Sequence, residues 1–265
     1  MFGSEFKRAV HATIERVFKA SGRDFSRLEV LWHGGQRVGV QFKAGLPVLN
    51  RRGRHVSSID ATILLPNVDD KGVIPDAKLP LFIGYIIHEL GHVWHTDNAP
   101  WDAWRHDPFI SRIINGLEDP RIERCVIDEG YLSNARSLLE GVTNHMLLKT
   151  NCSPYVDPND LQNLAFQLAI EGRRLNGYRL VAASVVHQSI YREPLEWALT
   201  AARSAKSTAE IVAIAVEFAE RVRQISEQDK GDDKGDDQQD GDQQQQDGDQ
   251  GDDQGDDQGD QDGDQ

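Results

Sequence analysis

Tyr85–His95 reads YIIHELGHVWH: His88 and His92 stand four residues apart, Glu89 follows the first, and His95 lies three beyond the second. Around them Leu81, Phe82, Ile86, Ile87, Leu90, Val93 and Trp94 recur at helical spacing, which predicts a helix over 79–96 with an apolar face. Residues four apart on a helix stand one turn above each other on the same face. Two imidazoles placed so can both reach one zinc ion at about 2.0–2.1 Å. Glu89 sits about 100° round from His88, near enough to reach a water on such an ion. The plain alternative is an apolar helix with incidental polar residues. Two histidines and a glutamate in that setting are costly without partners. His88 and His92 are therefore candidate metal ligands and Glu89 the candidate general base.

Working outward, Glu5–Ala20 carries Phe6, Val10, Ile14, Val17 and Phe18 on one helical face. Between Leu28 and Leu65 the pattern becomes short, β-branched and glycine-broken, which predicts about three strands of a small sheet over 25–66. The last of them, Ser57–Pro66, precedes the motif helix and is expected at a sheet edge, where an extended peptide could pair with it. After the motif, Asp107 can cap a helix with Pro108 in its first turn, running to Gly130 with a kink at Pro120. Gly116, four before Pro120, can ease that distortion. Further helices are predicted over about 133–149, 158–175, 179–203 and 207–227. The expected architecture is α+β: a small N-terminal sheet, a site helix and a mostly helical half over 78–228.

The segment 229–265 is nearly all Asp, Gln and Gly. Its 16 Asp and 2 Lys account for the whole net charge of −14, leaving 27 basic and 27 acidic residues in the first 228. No apolar residue follows Ile225, so burial cannot offset the entropy of ordering it, and it is expected to be a disordered acidic tail. The near-neutral body carries no basic footprint for nucleic acid. Cys125 and Cys152 are too few for a disulfide framework and read as free thiols of a reducing compartment. No stretch approaches the roughly 18 apolar residues of a membrane span, and the N-terminus lacks the apolar core of a signal peptide. The chain is expected to be cytoplasmic.

A catalytic zinc needs a third protein ligand and one open position. His95 is about 10 Å along the axis from His88, too far for three ligands on one helix to converge well. It reads as a supporting or surface histidine. The three-histidine metzincin pattern is excluded, because it wants Gly at 95 and His at 98, where this chain has His95 and Asn98. That leaves a carboxylate from the next helix: Glu118, Asp119 or Glu123.

An HELGH motif with a glutamate on the next helix resembles the gluzincin branch of zinc metallopeptidases. The string Asn115-x-x-Glu118-Asp119-x-Arg121-x-Glu123 resembles a segment of phage and bacterial proteins related to the cobalt-chelatase large subunit. In those proteins a metallopeptidase-like module precedes an acidic stretch and a von Willebrand A domain. The likeness covers about residues 60–130, with the acidic tail by composition, and no von Willebrand A domain follows here. It implies a zincin-like fold holding one zinc ion per chain, with Glu118, 26 residues beyond His92, as third ligand. It implies Asp119 as the group orienting a ligand histidine, and Arg121 and Glu123 as supporting residues in ion pairs with their neighbours. The implied activity is hydrolysis of a protein or peptide substrate. The alternative is an interaction module serving a separate von Willebrand A or AAA+ ATPase partner with little proteolysis. By type alone, Tyr131, His145 and Tyr155 are candidates to stabilise the transition state. Trp94, Trp101 and Trp104 are expected to pack the core.

Overall fold

The computed structural model describes residues 1–22, 28–34, 39–44, 48–49, 55–56 and 59–232. In chain order the elements are α1 (Gly3–Ser21), β1 (Leu28–His33), β2 (Gly39–Ala44), β3 (Val48–Leu49), β4 (His55–Val56), β5 (Ile59–Pro66), α2 (Lys78–His95), α3 (Asn98–Asp102), α4 (Pro108–Glu129), α5 (Ala135–Lys149), α6 (Ser153–Val156), α7 (Leu164–Leu175), α8 (Arg192–Ser204) and α9 (Thr208–Asp232). Met1–Glu227 forms one compact unit. Beyond it only the end of α9 is described, and that helix runs four residues past the expected boundary at 228. The rest of the acidic segment expected to be disordered lies outside the described residues.

β5 is the middle of a three-stranded sheet ordered β1-β5-β2, and β3 pairs with β4 separately. β5 runs parallel to β1, Leu28 opposite Ala61, and antiparallel to β2, Ala44 opposite Ile59. The expectation of an edge strand at 57–66 is thus corrected: both sides of β5 are already hydrogen-bonded. Its alternating Ala61, Ile63 and Leu65 are buried against Phe6, Val10 and Ile14 of α1 and Ile86, Ile87 and Leu90 of α2. That is the first apolar cluster. A second is built by Ile113, Ile114 and Leu117 of α4, Leu168 of α7, Leu195 of α8 and Phe218 of α9. α4 contributes to both, because its C-terminal Val126 belongs to the first. It is the shared wall on which the site is built.

Asp107 caps α4 as predicted, its Oδ1 accepting the Phe109 and Ile110 N–H groups, with Pro108 in the first turn. The helix continues through Pro120. Gly116 serves a packing purpose: a Cβ there would lie 2.3 Å from the Ala165 carbonyl oxygen at the start of α7. Gly172 of α7 answers it, since a Cβ there would lie 2.6 Å from Pro120 Cγ. The Pro120 carbonyl accepts a bond from Asn176 Nδ2 at 2.7 Å.

The expected helix over 179–203 begins only at Arg192. Ahead of it, side chains claim the backbone groups a helix would use. Arg179 N donates to Glu140 and Val181 N to Asn144 Oδ1. The Arg179 and Ala182 carbonyls accept from Asn144 and Arg174. Likewise α7 starts at Leu164, after a 3-10 turn over Leu161–Asn163, and not at 158.

Candidate metal centre

The 3.6-residue repeat of α2 brings the His88 and His92 rings edge to face, with centroids 5.0 Å apart. Gly91 lies between them in sequence and faces α4, where a Cβ would lie 3.1 Å from Ile122 Cδ1. Its lack of a side chain lets α4 come close enough to present Asp119. Asp119 Oδ1 lies 3.4 Å from His92 Nε2 and 3.8 Å from His88 Nε2. Neither contact makes a hydrogen bond, and among the described residues Oδ1 is buried without a hydrogen-bond partner. One ligand atom from each of His88, His92 and Asp119 falls within 4.8 Å of the others.

The far side of each ring is occupied. His88 Nδ1 donates to Glu123 Oε1 at 2.8 Å, and His92 Nδ1 is 3.0 Å from Thr96 Oγ1. Both Nε2 atoms are left facing Asp119. Glu123 is held in turn by Arg173, whose Nη2 lies 2.7 Å away, and by the Tyr178 hydroxyl at 2.8 Å. Arg173 also reaches Asp119 Oδ2 at 3.2 Å.

Glu118, the third ligand implied by the resemblance, is not brought to the histidines. It is fully buried and accepts from Arg121 at both oxygens, at 2.7 and 2.6 Å, and from Thr96 and Thr208. Consecutive helical residues point about 100° apart, so Glu118 and Asp119 cannot both face α2 in the same way. Asp119, expected to orient a histidine, takes the place beside the Nε2 atoms. Arg121 and Glu123 are each in a buried ion pair with a neighbour, Arg121 with Glu118 and Glu123 with Arg173. His95 turns away to Glu129, 3.3 Å from its Oε2.

Carboxylates crowd the centre. Asp119, Glu123 and Glu89 surround His88, and Arg173 is the cation that pairs with two of them. Burial alone would lower the pKa of His88, but Asp119, the hydrogen bond it donates to Glu123 and the charge of Glu89 push it up to about 9. Burial would raise Asp119, yet His88, His92 and Arg173 hold it well below the usual carboxylate range. Glu123 is held down at about 2 by Arg173 and His88 against its burial. Burial raises the Glu89 carboxyl, with His88 and His92 opposing. Two imidazole nitrogens and one carboxylate oxygen without a hydrogen-bond partner fit a divalent cation.

The centre opens into a cleft of about 460 Å³ that also exposes Glu89, Asn98, Trp101, Arg105, Ser111 and Asn115. Trp101 is thus a wall of the cleft, its indole N–H donating to Ser111 Oγ. Trp94 packs on Phe18 and Tyr131 as core, and Trp104 stacks on His106 beside the second cluster. None of the three residues put forward by type as stabilisers lines the cleft. Tyr131 lies against Trp94, Tyr155 is buried on Glu171, and His145 is exposed. Both cysteines are free. Asn98, Arg105, Thr96, Arg173 and Tyr178 were missed. Thr96, one turn beyond His92, could have been found by the same i, i+4 spacing that pairs the histidines. Arg173 and Tyr178 carry no spacing signal, being 50 and 55 residues from Glu123.

No protein-family model, curated protein or solved structure matches the chain. The likeness to zincins and to the chelatase-related proteins is therefore one of short motifs. Among the described residues no helix is long and apolar enough to cross a membrane.

Proposed function

We propose that the chain is a zinc-dependent peptidase in which His88, His92 and Asp119 hold the metal and Glu89 is the general base. The observation that carries the reading is the buried, unpartnered Asp119 Oδ1 beside two Nε2 atoms at the floor of an open cleft. Two histidines and a carboxylate are a ligand set of catalytic zinc, and the open cleft leaves room for substrate. When bound, zinc supplies a water of lowered pKa and a Lewis acid for the scissile carbonyl. Glu89, on the cleft wall, takes the proton of the attacking water on its carboxylate and delivers it to the leaving amine. Its raised pKa brings it nearer the working pH of such a base. Asn98, Asn115 and Arg105 offer N–H donors along the cleft for the substrate backbone and the developing oxyanion.

The test pairs metal analysis of the purified protein with cleavage of an unfolded protein substrate by wild type and Glu89→Gln. Zinc in both, with cleavage by wild type alone, is the expected result. Zinc in both without any cleavage favours a metal-binding adaptor for a separate partner. A wild type that takes up no metal overturns the centre itself.

A further inference from the structure

The contact behind His92 contains a fixed direction. Thr96, which follows the last residue of α2, is buried, and its Oγ1 lies 3.0 Å from His92 Nδ1 and 3.0 Å from Glu118 Oε1. A hydroxyl has one proton to give and lone pairs to receive with. Glu118 receives Arg121 N–H groups on both of its oxygens, so toward Thr96 it acts as an acceptor. The Thr96 proton is therefore committed to Glu118. Thr208 supports the same carboxylate: its hydroxyl donates to Glu118 Oε1 at 2.8 Å while it accepts the Asp97 N–H at 2.9 Å. What Thr96 has left for His92 is a lone pair, so the hydrogen between them belongs to His92 Nδ1. The ring then keeps its Nε2 bare, toward Asp119.

We infer that Thr96 is a positioning residue of the metal centre. Glu118, clamped by Arg121 and Thr208, orients the Thr96 hydroxyl, and that hydroxyl fixes His92 in the Nδ1–H tautomer with Nε2 free to bind metal. The inference deepens the metal-centre reading above and rests on it for the role, but the tautomer exists without metal. It also separates the two histidines. His88 donates to an ionised carboxylate, a charge-assisted bond that sets its tautomer directly. His92 has a neutral hydroxyl, which could point either way if Glu118 did not orient it.

The experiment uses protein with 15N-labelled histidine. Long-range proton–nitrogen correlation on the metal-free protein at alkaline pH reads each ring's tautomer, and a zinc titration reads affinity. In wild type His92 should show a protonated Nδ1 and a bare Nε2. Thr96→Val should give a mixture of tautomers and weaken zinc binding about 10- to 100-fold, the usual cost of losing such an outer contact. Thr96→Ser should restore both. If Thr96→Val lowers only the melting temperature, with tautomer and affinity unchanged, the hydroxyl is a helix cap and the inference is overturned. A wild-type His92 protonated on Nε2 also overturns it, whether or not the valine variant folds. A wild type with the expected tautomer that binds no zinc fails the metal-centre reading instead.

Discussion

At the scale of single residues, Glu118 and Asp119 stand in each other's expected places: Asp119 lies beside the histidines and Glu118 is held by Arg121. Glu118 holds Arg121 within the protein, so Glu118→Ala should be a stability variant. It leaves a buried guanidinium without its carboxylate and should cost about 3–5 kcal/mol, read by denaturant unfolding of the metal-free protein. Asp119→Asn should do the reverse. Its Oδ1 has no hydrogen bond to lose and Arg173 keeps Glu123 as a partner, so the metal-free protein should lose less stability than with Glu118→Ala, while zinc affinity falls by more than about 100-fold. Equal loss of stability in the two variants would contradict this division. The elevated pKa of His88 has a sign that can be checked. Below about 9 its ring carries a second proton in the metal-free protein, and zinc must displace it from Nε2. Zinc affinity should therefore climb with pH, by up to about tenfold per unit, and level off as pH passes 9. Competition titrations at a series of pH values measure the slope. A flat profile between pH 7 and 9 would show that His88 is not protonated in the metal-free state.

At the scale of elements, the approach of α4 to its neighbours sets the site. Gly91 allows α2 close to α4, and Gly116 with Gly172 allows α4 close to α7, which delivers Arg173 to Glu123. Gly116→Ala forces a methyl onto the Ala165 carbonyl, a backbone atom that cannot swing aside. It should cost about 1–3 kcal/mol by overpacking, seen as a lower melting temperature. If the melting temperature is unchanged, the two helices are not packed as closely as described. The sheet is less directly involved than its place before α2 suggests. With β5 in the middle, an extended substrate that pairs with the sheet must use β1 or β2.

At the scale of the whole molecule, the apolar clusters of the described residues are complete by Val222, with Ile225 packed on the one built by α4, α7, α8 and α9. A chain ending at Asp232 should keep the melting temperature of the full protein. A fall of more than a degree or two would mean that the acidic segment contributes to the fold. Much of the site was legible beforehand because its signal is local. His88, Glu89 and His92 are set by helical periodicity, and the cap of α4 by Asp107-Pro108. What was not legible depends on distant partners. The segment 179–191 has the apolar content of a helix, yet Glu140, Asn144 and Arg174 take its backbone groups. Ser57–Pro66 reads as a strand, but its place in the sheet depends on which neighbours arrive on each side. The sequence by itself determined two histidines and a glutamate on one helix, a small sheet before it and a helical body after it. Only the tertiary structure decided which carboxylate of α4 meets the histidines. Glu118 and Asp119 are adjacent in sequence, and the choice between them is a matter of helix rotation, set by the glycine contacts and by the buried partners Arg121 and Arg173.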